Sequence, residues 1–134
     1  MQPLPTRAPD AATIEAIARE AMMTLPEAFR VHLADIVLRV DDFADDDVLT
    51  EMEIDNAYEL TGLYTGHPIG MKTMVESGAM PDMIHLYRIP ILLEWVESGE
   101  DLQHLVRHVL IHEVGHHFGL SDADMEALEN TPGS

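Results

Sequence analysis

An α+β fold is what this sequence predicts, and three observations predict it. Residues 36–40, 60–66 and 83–87 are rich in branched or aromatic side chains and read as β-strands. Helical periodicity separates and flanks them, beginning with an amphipathic stripe near the N-terminus. Residues 99–118 carry apolar side chains around most of a helical circumference, the mark of a helix at the centre of a fold. At 134 residues the chain has the length of one ordinary domain.

In chain order, residues 1–10 contain Pro3, Pro5 and Pro9 and predict a frayed tail with no apolar leader, ahead of one domain over 11–130. Asp10 is placed to cap a first helix. Ile14, Ile17, Ala18, Ala21, Met22 and Leu25 then line one face of it, until Pro26 stops or kinks it. The strand at 36–40 runs into the acidic stretch 41–47. That stretch lacks the glycine and later glutamate of an EF-hand and reads as a solvated loop. Residues 48–58 suggest a short helix. The strand at 60–66 is punctuated by Gly62 and Gly66, which marks a bulge or a close approach of another backbone. Residues 71–80 are polar and irregular. After the strand at 83–87 comes Pro90, then a short helix over 91–96 ending near Gly99. Ser98 and Asp101 give the long helix a start that resembles a capping box, and Gly119 its C-cap. A last helix spans 121–130, with Ser121 and Asp124 in cap positions.

Composition excludes several functions. Seven Lys and Arg against 25 Asp and Glu give a net charge of −18, which repels nucleic acid and anionic membranes. No run approaches the roughly 18–20 apolar residues of a membrane span. With no cysteine there is no disulfide, thiolate zinc site or thiol nucleophile, and a cytoplasmic location is the expectation. The nine methionines, Met125 among them, read as core filler.

The chemistry concentrates in the long helix. Five of the eight histidines, His104, His108, His112, His116 and His117, fall between positions 104 and 117. His112-Glu113-Val114-Gly115-His116 is an H-E-x-x-H pattern. Residues four apart stack on one helical face, so His112 and His116 can offer imidazole nitrogens to one Zn²⁺. Glu113 sits on the flank of that face, where a general base reaches water without becoming a ligand. Gly119 then lets the chain turn back, and Asp122 arrives where a third ligand is expected. The string His112-Glu113-x-x-His116-x-x-Gly119-x-x-Asp122 resembles the extended zincin signature, with Asp in place of a third His.

The resemblance is wider than the motif. Residues 62–66, 81–88 and 107–120 are similar to segments of the small bacterial zincin-like metallopeptidases, and the similarity runs from about Ala11 to Leu128. It implies a minimal zincin-like fold: a small mixed sheet of few strands packed against the H-E-x-x-H helix and an N-terminal helix. It supplies no substrate; the motif's own spacing places zinc on His112, His116 and Asp122 with Glu113 as catalytic base, and the expected reaction is hydrolysis of an amide, most plausibly a peptide bond in a peptide or protein. If a polypeptide binds by strand addition, residues 60–66 are the edge expected to receive it, with Gly62 giving the close approach. His108 and Tyr64 are expected beside the site or facing substrate. His117 is expected in the core and His104 at the surface. An oxyanion-stabilising donor must come from before the motif, with Tyr64, His67, Tyr87 and Arg88 as candidates. The competing reading is a metal-stabilised interaction module with little or no activity, whose acidic surface recruits a basic partner.

Overall fold

Residues 6–66 and 82–129 are described in a computed structural model of the chain. His67, residues 71–80 and the first half of the expected tail lie outside them.

Helix α1 spans Ala11–Met23, and the Asp10 carboxylate accepts the Thr13 N–H at 2.8 Å, as its capping position requires. Ile14, Ala18 and Ala21 form its buried stripe. Pro26 does more than stop α1. Its fixed backbone opens a second helix, α2 (Glu27–Leu33), which the sequence reading did not assign. Only Leu33 of α2 is buried, so it has no apolar period to read. Strand β1 (Val37–Asp41) follows, then α3 (Asp46–Glu51), which takes up the end of the stretch expected to be an acidic loop. A single 3-10 turn at Ala57–Glu59 leads into β2 (Gly62–Thr65). Beyond it come β3 (Met83–Tyr87) and α4 (Arg88–Ser98). Helix α4 starts earlier than expected because Pro90 is tolerated in a first turn, where its missing N–H is not needed.

Helix α5 (Leu102–Phe118) carries the H-E-x-x-H pattern. It is capped by Asp101, which accepts the His104 N–H, and not by Ser98. Gly99 adopts the left-handed conformation that ends α4, so a new helix cannot begin until the chain has passed it. Helix α6 (Asp122–Glu129) begins with a reciprocal cap between Ser121 and Asp124, as the sequence predicted.

The strands form a mixed sheet in the order β1-β3-β2, with β1 parallel and β2 antiparallel to the central β3. Alternation along β3 sends Ile84 and Leu86 to one face, where α5 lies over β2 and β3 while α1 covers β1. Ile84 and Leu86 are fully buried there among Leu105, Val109 and Leu110 of α5. Each such side chain stabilises the fold by about 1.5–3 kcal/mol. The opposite face holds a smaller cluster of Ala44, Leu60 and Tyr87. Among the described residues no helix is long and apolar enough to cross a membrane.

Candidate active site

The position of α5 on the sheet decides what surrounds Glu113. The helix approaches β2 so closely that a Cβ at Gly62 would lie 2.9 Å from Val109 Cγ1 and 3.3 Å from Glu113 Cγ. Only glycine permits this spacing. Glu113 is therefore buried against the edge strand. Its carboxylate accepts the Tyr64 backbone N–H and pairs with His116 Nδ1 at 3.2 Å. Burial pushes the Glu113 carboxyl up from its ordinary range, and His116 and the Tyr64 N–H only partly offset this.

His112 is half-buried and lies where two open clefts meet. One, of about 230 Å³, is lined by Thr61, Glu94, His108, Val109, His112 and Glu113. The other, of about 530 Å³, brings His112 together with Asp122 of α6, and His104, His108 and Glu129 also line it. Asp122 gets there through the turn at Gly119. The left-handed φ of +68° at this residue lets the Leu120 N–H reach back to the Gly115 carbonyl at 2.8 Å, and the chain reverses along α5. Met125 then packs over Gly115, where a Cβ would come within 2.6–2.8 Å of its side chain. The buried methionine is the core residue expected from the sequence. Gly115, the notch that receives it, was not singled out there.

The remaining expected residues are distributed as follows. His108 Nδ1 pairs with Glu129 at 2.7 Å, and its ring stands 4.6 Å from that of His112. Glu129 was missed because its partner lies on another helix, and only the reversal at Gly119 joins them. His117 is buried beside Tyr64 Oη, at 3.4 Å, and Asp82, also at 3.4 Å. Tyr64 thus ties β2 to α5. Burial and the nearby Asp82 carboxylate push its hydroxyl up to about 12. Among the other oxyanion candidates, Arg88 is held by Asp42 and the Pro9 carbonyl, and Tyr87 is buried in the cluster on the opposite face of the sheet.

His112 and Asp122 thus share a cleft, while His116 is turned to Glu113. Among the described residues no three His, Asp or Glu side chains converge on one point in metal-holding geometry. The donor chemistry nevertheless suits a first-row metal: imidazoles one turn apart on one helix and a carboxylate across the cleft.

No curated protein matches the sequence. The family profile of the zincin-like metallopeptidases matches residues 33–131, most of the chain, and among the described residues six α-helices and a mixed three-stranded sheet have the form of a minimal zincin-like fold. The chain belongs to the zincin-like metallopeptidase family.

Proposed function

We propose that this zincin-like metallopeptidase hydrolyses peptide bonds with one zinc ion held by His112, His116 and Asp122 and with Glu113 as general base. The observation that carries the reading is the environment of Glu113: a buried carboxylate with a raised pKa, on the wall of a cleft that it shares with His112. A structural metal site has no use for such a group, whereas a proton acceptor at neutral pH does. When bound, Zn²⁺ polarises a carbonyl and lowers the pKa of water towards about 7.

The protein's own residues do the rest. Rotation of His116 away from Glu113 brings its imidazole to the face of α5 that it shares with His112, and frees the carboxylate. Glu113 takes a proton from the attacking water and delivers it to the leaving amine. The Tyr64 N–H keeps one carboxylate oxygen in place meanwhile. Among the described residues strand β2 lies at the edge of the sheet, beside α5, and it receives an extended peptide by strand addition. Support for this comes from Gly62, which brings the edge against Glu113.

The test compares the wild type with Glu113→Gln on a mixed peptide library, after zinc content has been measured in both. Equal zinc with cleavage lost only in the variant supports the enzyme. Equal cleavage, or a zinc-loaded wild type that cleaves nothing, overturns it. The second reading is a metal-stapled interaction module, favoured by the docking of α6 on α5 through Met125 and Gly115. It predicts inactivity in both proteins and a large fall in melting temperature on chelation.

A further inference from the structure

Helix α4 supplies one wall of the smaller cleft beside Glu113. Pro90, Ile91 and Leu92 anchor the helix in the core. Glu94 comes three residues after Ile91, on the flank of that buried stripe, and is exposed. It stands with Thr61, Val109, His112 and Glu113 around the opening of about 230 Å³. His108 also lines this cleft, but its Nδ1 is engaged by Glu129. Among the described residues Glu94 has no ion pair, and no Lys or Arg lines this cleft or the larger one that meets it at His112. The cleft therefore offers one apolar side chain, Val109, one hydroxyl, Thr61, and one exposed carboxylate without a counter-charge. Lysine and arginine have the complementary form: an aliphatic stem for Val109 and a cationic head for Glu94.

We propose that Glu94 makes this cleft a subsite for one lysine or arginine side chain close to the bond that is cut, so that the substrates are basic peptides. The inference deepens the hydrolase reading and rests on it for where the peptide lies. A peptide added alongside β2 alternates its side chains across the sheet, and every second one turns to the face on which α5 lies. A long cationic side chain there reaches the cleft beside His112 and Glu113. The net charge of −18 draws cationic peptides towards the protein as a whole, and Glu94 fixes where one of their charges comes to rest. A single exposed carboxylate matches a single cation, so one basic residue suffices and a basic run is not required. The same carboxylate repels a peptide with an acid at that position, which gives discrimination in both directions.

The probes are acetylated and amidated peptides of neutral sequence with lysine, norleucine or glutamate at one position, scanned along the peptide. Norleucine keeps an aliphatic stem and removes the charge, and the blocked ends leave no terminal amine to bind instead. Binding to the full-length chain in the presence of Zn²⁺ is read by fluorescence anisotropy, and cleavage is followed on the same peptides. Wild type is compared with Glu94→Gln, Glu94→Lys and Glu97→Gln, the last removing a charge from the same helix outside the cleft. Glu94 and Glu97 are exposed, so each variant keeps the fold, which circular dichroism verifies. The lysine peptide should bind wild type roughly fivefold more tightly than the norleucine peptide, the upper end for an exposed ion pair. Added salt should shrink that gap. Glu94→Gln should abolish it, Glu94→Lys should favour the glutamate peptide, and Glu97→Gln should retain the wild-type preference. No gap in the wild type, an equal gap in Glu94→Gln, or an equal loss in Glu97→Gln overturns the inference. A gap in binding that depends on Glu94, with no peptide cleaved, supports the subsite and overturns the hydrolase reading. Cleavage without such a gap does the reverse.

Discussion

The Glu113 carboxylate lies 3.2 Å from Nδ1 of His116, one turn along the same helix. This contact joins the two residues given different roles by the motif. Glu113 is nearly sealed from solvent while His116 is largely exposed, so desolvation falls on the carboxylate alone. A sign for pH dependence follows. The folded-state pKa of Glu113 is raised, so its contribution to stability is fully present below the ordinary value near 4.5 and is lost as pH rises through the folded value. Glu113→Gln is isosteric and carries no charge. Metal-free Glu113→Gln is therefore expected to unfold at higher denaturant concentration than the wild type at pH 7. The gap should close below pH 4.5, where the carboxyl is protonated in both states. On the peptide assay the same variant should lose about 10²–10⁴-fold in kcat, the usual contribution of a general base. Denaturant titrations at several pH values check the first expectation, and steady-state kinetics the second.

Gly62 sets the distance between the edge strand and α5. Its substitution by alanine places a methyl group 2.9 Å from Val109 Cγ1, a backbone-anchored branched side chain that cannot swing aside freely. Overpacking of this kind costs about 1–3 kcal/mol. Gly62→Ala should lower stability by that amount and also displace Glu113, whose Cγ is the next atom met, at 3.3 Å. Trimming the obstacle in a Gly62→Ala, Val109→Ala double variant should restore part of the activity although it removes core volume. Activity in Gly62→Ala equal to that of the wild type would show that β2 has no part in turnover.

The sites of these two predictions differ in how visible they are in the sequence. The helical setting of His112, Glu113 and His116, the cap at Gly119 and the strand at 83–87 were legible because each depends on its neighbours within a turn or a pleat. Asp10 at the start of α1 was legible for the same reason. Helix α2 was not, because one buried residue in seven leaves no period. The start of α5 was misplaced at Ser98 because the left-handed Gly99 that separates it from α4 is a conformation, not a pattern. The order β1-β3-β2 and the contact of Glu129 with His108 depend on pairings between residues distant in sequence, which periodicity does not encode. Gly115 reads as a plain variable position of the motif until Met125 is seen resting on it.

Two tyrosines, Tyr87 buried and Tyr64 partly buried, predict behaviour in alkali. Burial is the first cause that pushes both Tyr64 and Tyr87 up to about 12, followed for Tyr64 by Asp82 and for Tyr87 by Asp41, Asp45 and Glu113. In the unfolded chain both titrate near 10.0. Their contribution to stability is therefore complete below pH 10 and is lost as pH rises through about 12. The wild type should lose stability steadily across this window. Tyr64→Phe and Tyr87→Phe should each flatten the loss, and the ultraviolet signature of phenolate should appear together with unfolding. Phenolate formed near pH 10 in a protein that stays folded would show that these hydroxyls are open to water.

Gly115 lets α6 rest on α5, and α6 carries Asp122, so packing at one residue governs the position of another. Alanine at 115 gains up to about 1 kcal/mol of helix propensity but places a methyl group within 2.6–2.8 Å of three Met125 atoms. Met125 is flexible but buried, and overpacking at about 1–3 kcal/mol outweighs the gain. Gly115→Ala should therefore be destabilised by about 1 kcal/mol and should bind zinc more weakly, because a lifted α6 withdraws Asp122. Met125→Ala in the same chain should relieve the clash and recover zinc affinity while lowering stability further through lost burial. Asp122→Asn separates the two effects: it leaves the packing intact and should weaken zinc binding alone. With zinc at a hundredfold excess over its dissociation constant, the bound ion should add about 2.7 kcal/mol to wild-type stability, which a chelator removes. Denaturant titrations with and without chelator, run on all four proteins, read packing and metal binding independently. Zinc stabilisation undiminished in Asp122→Asn would remove this carboxylate from the site.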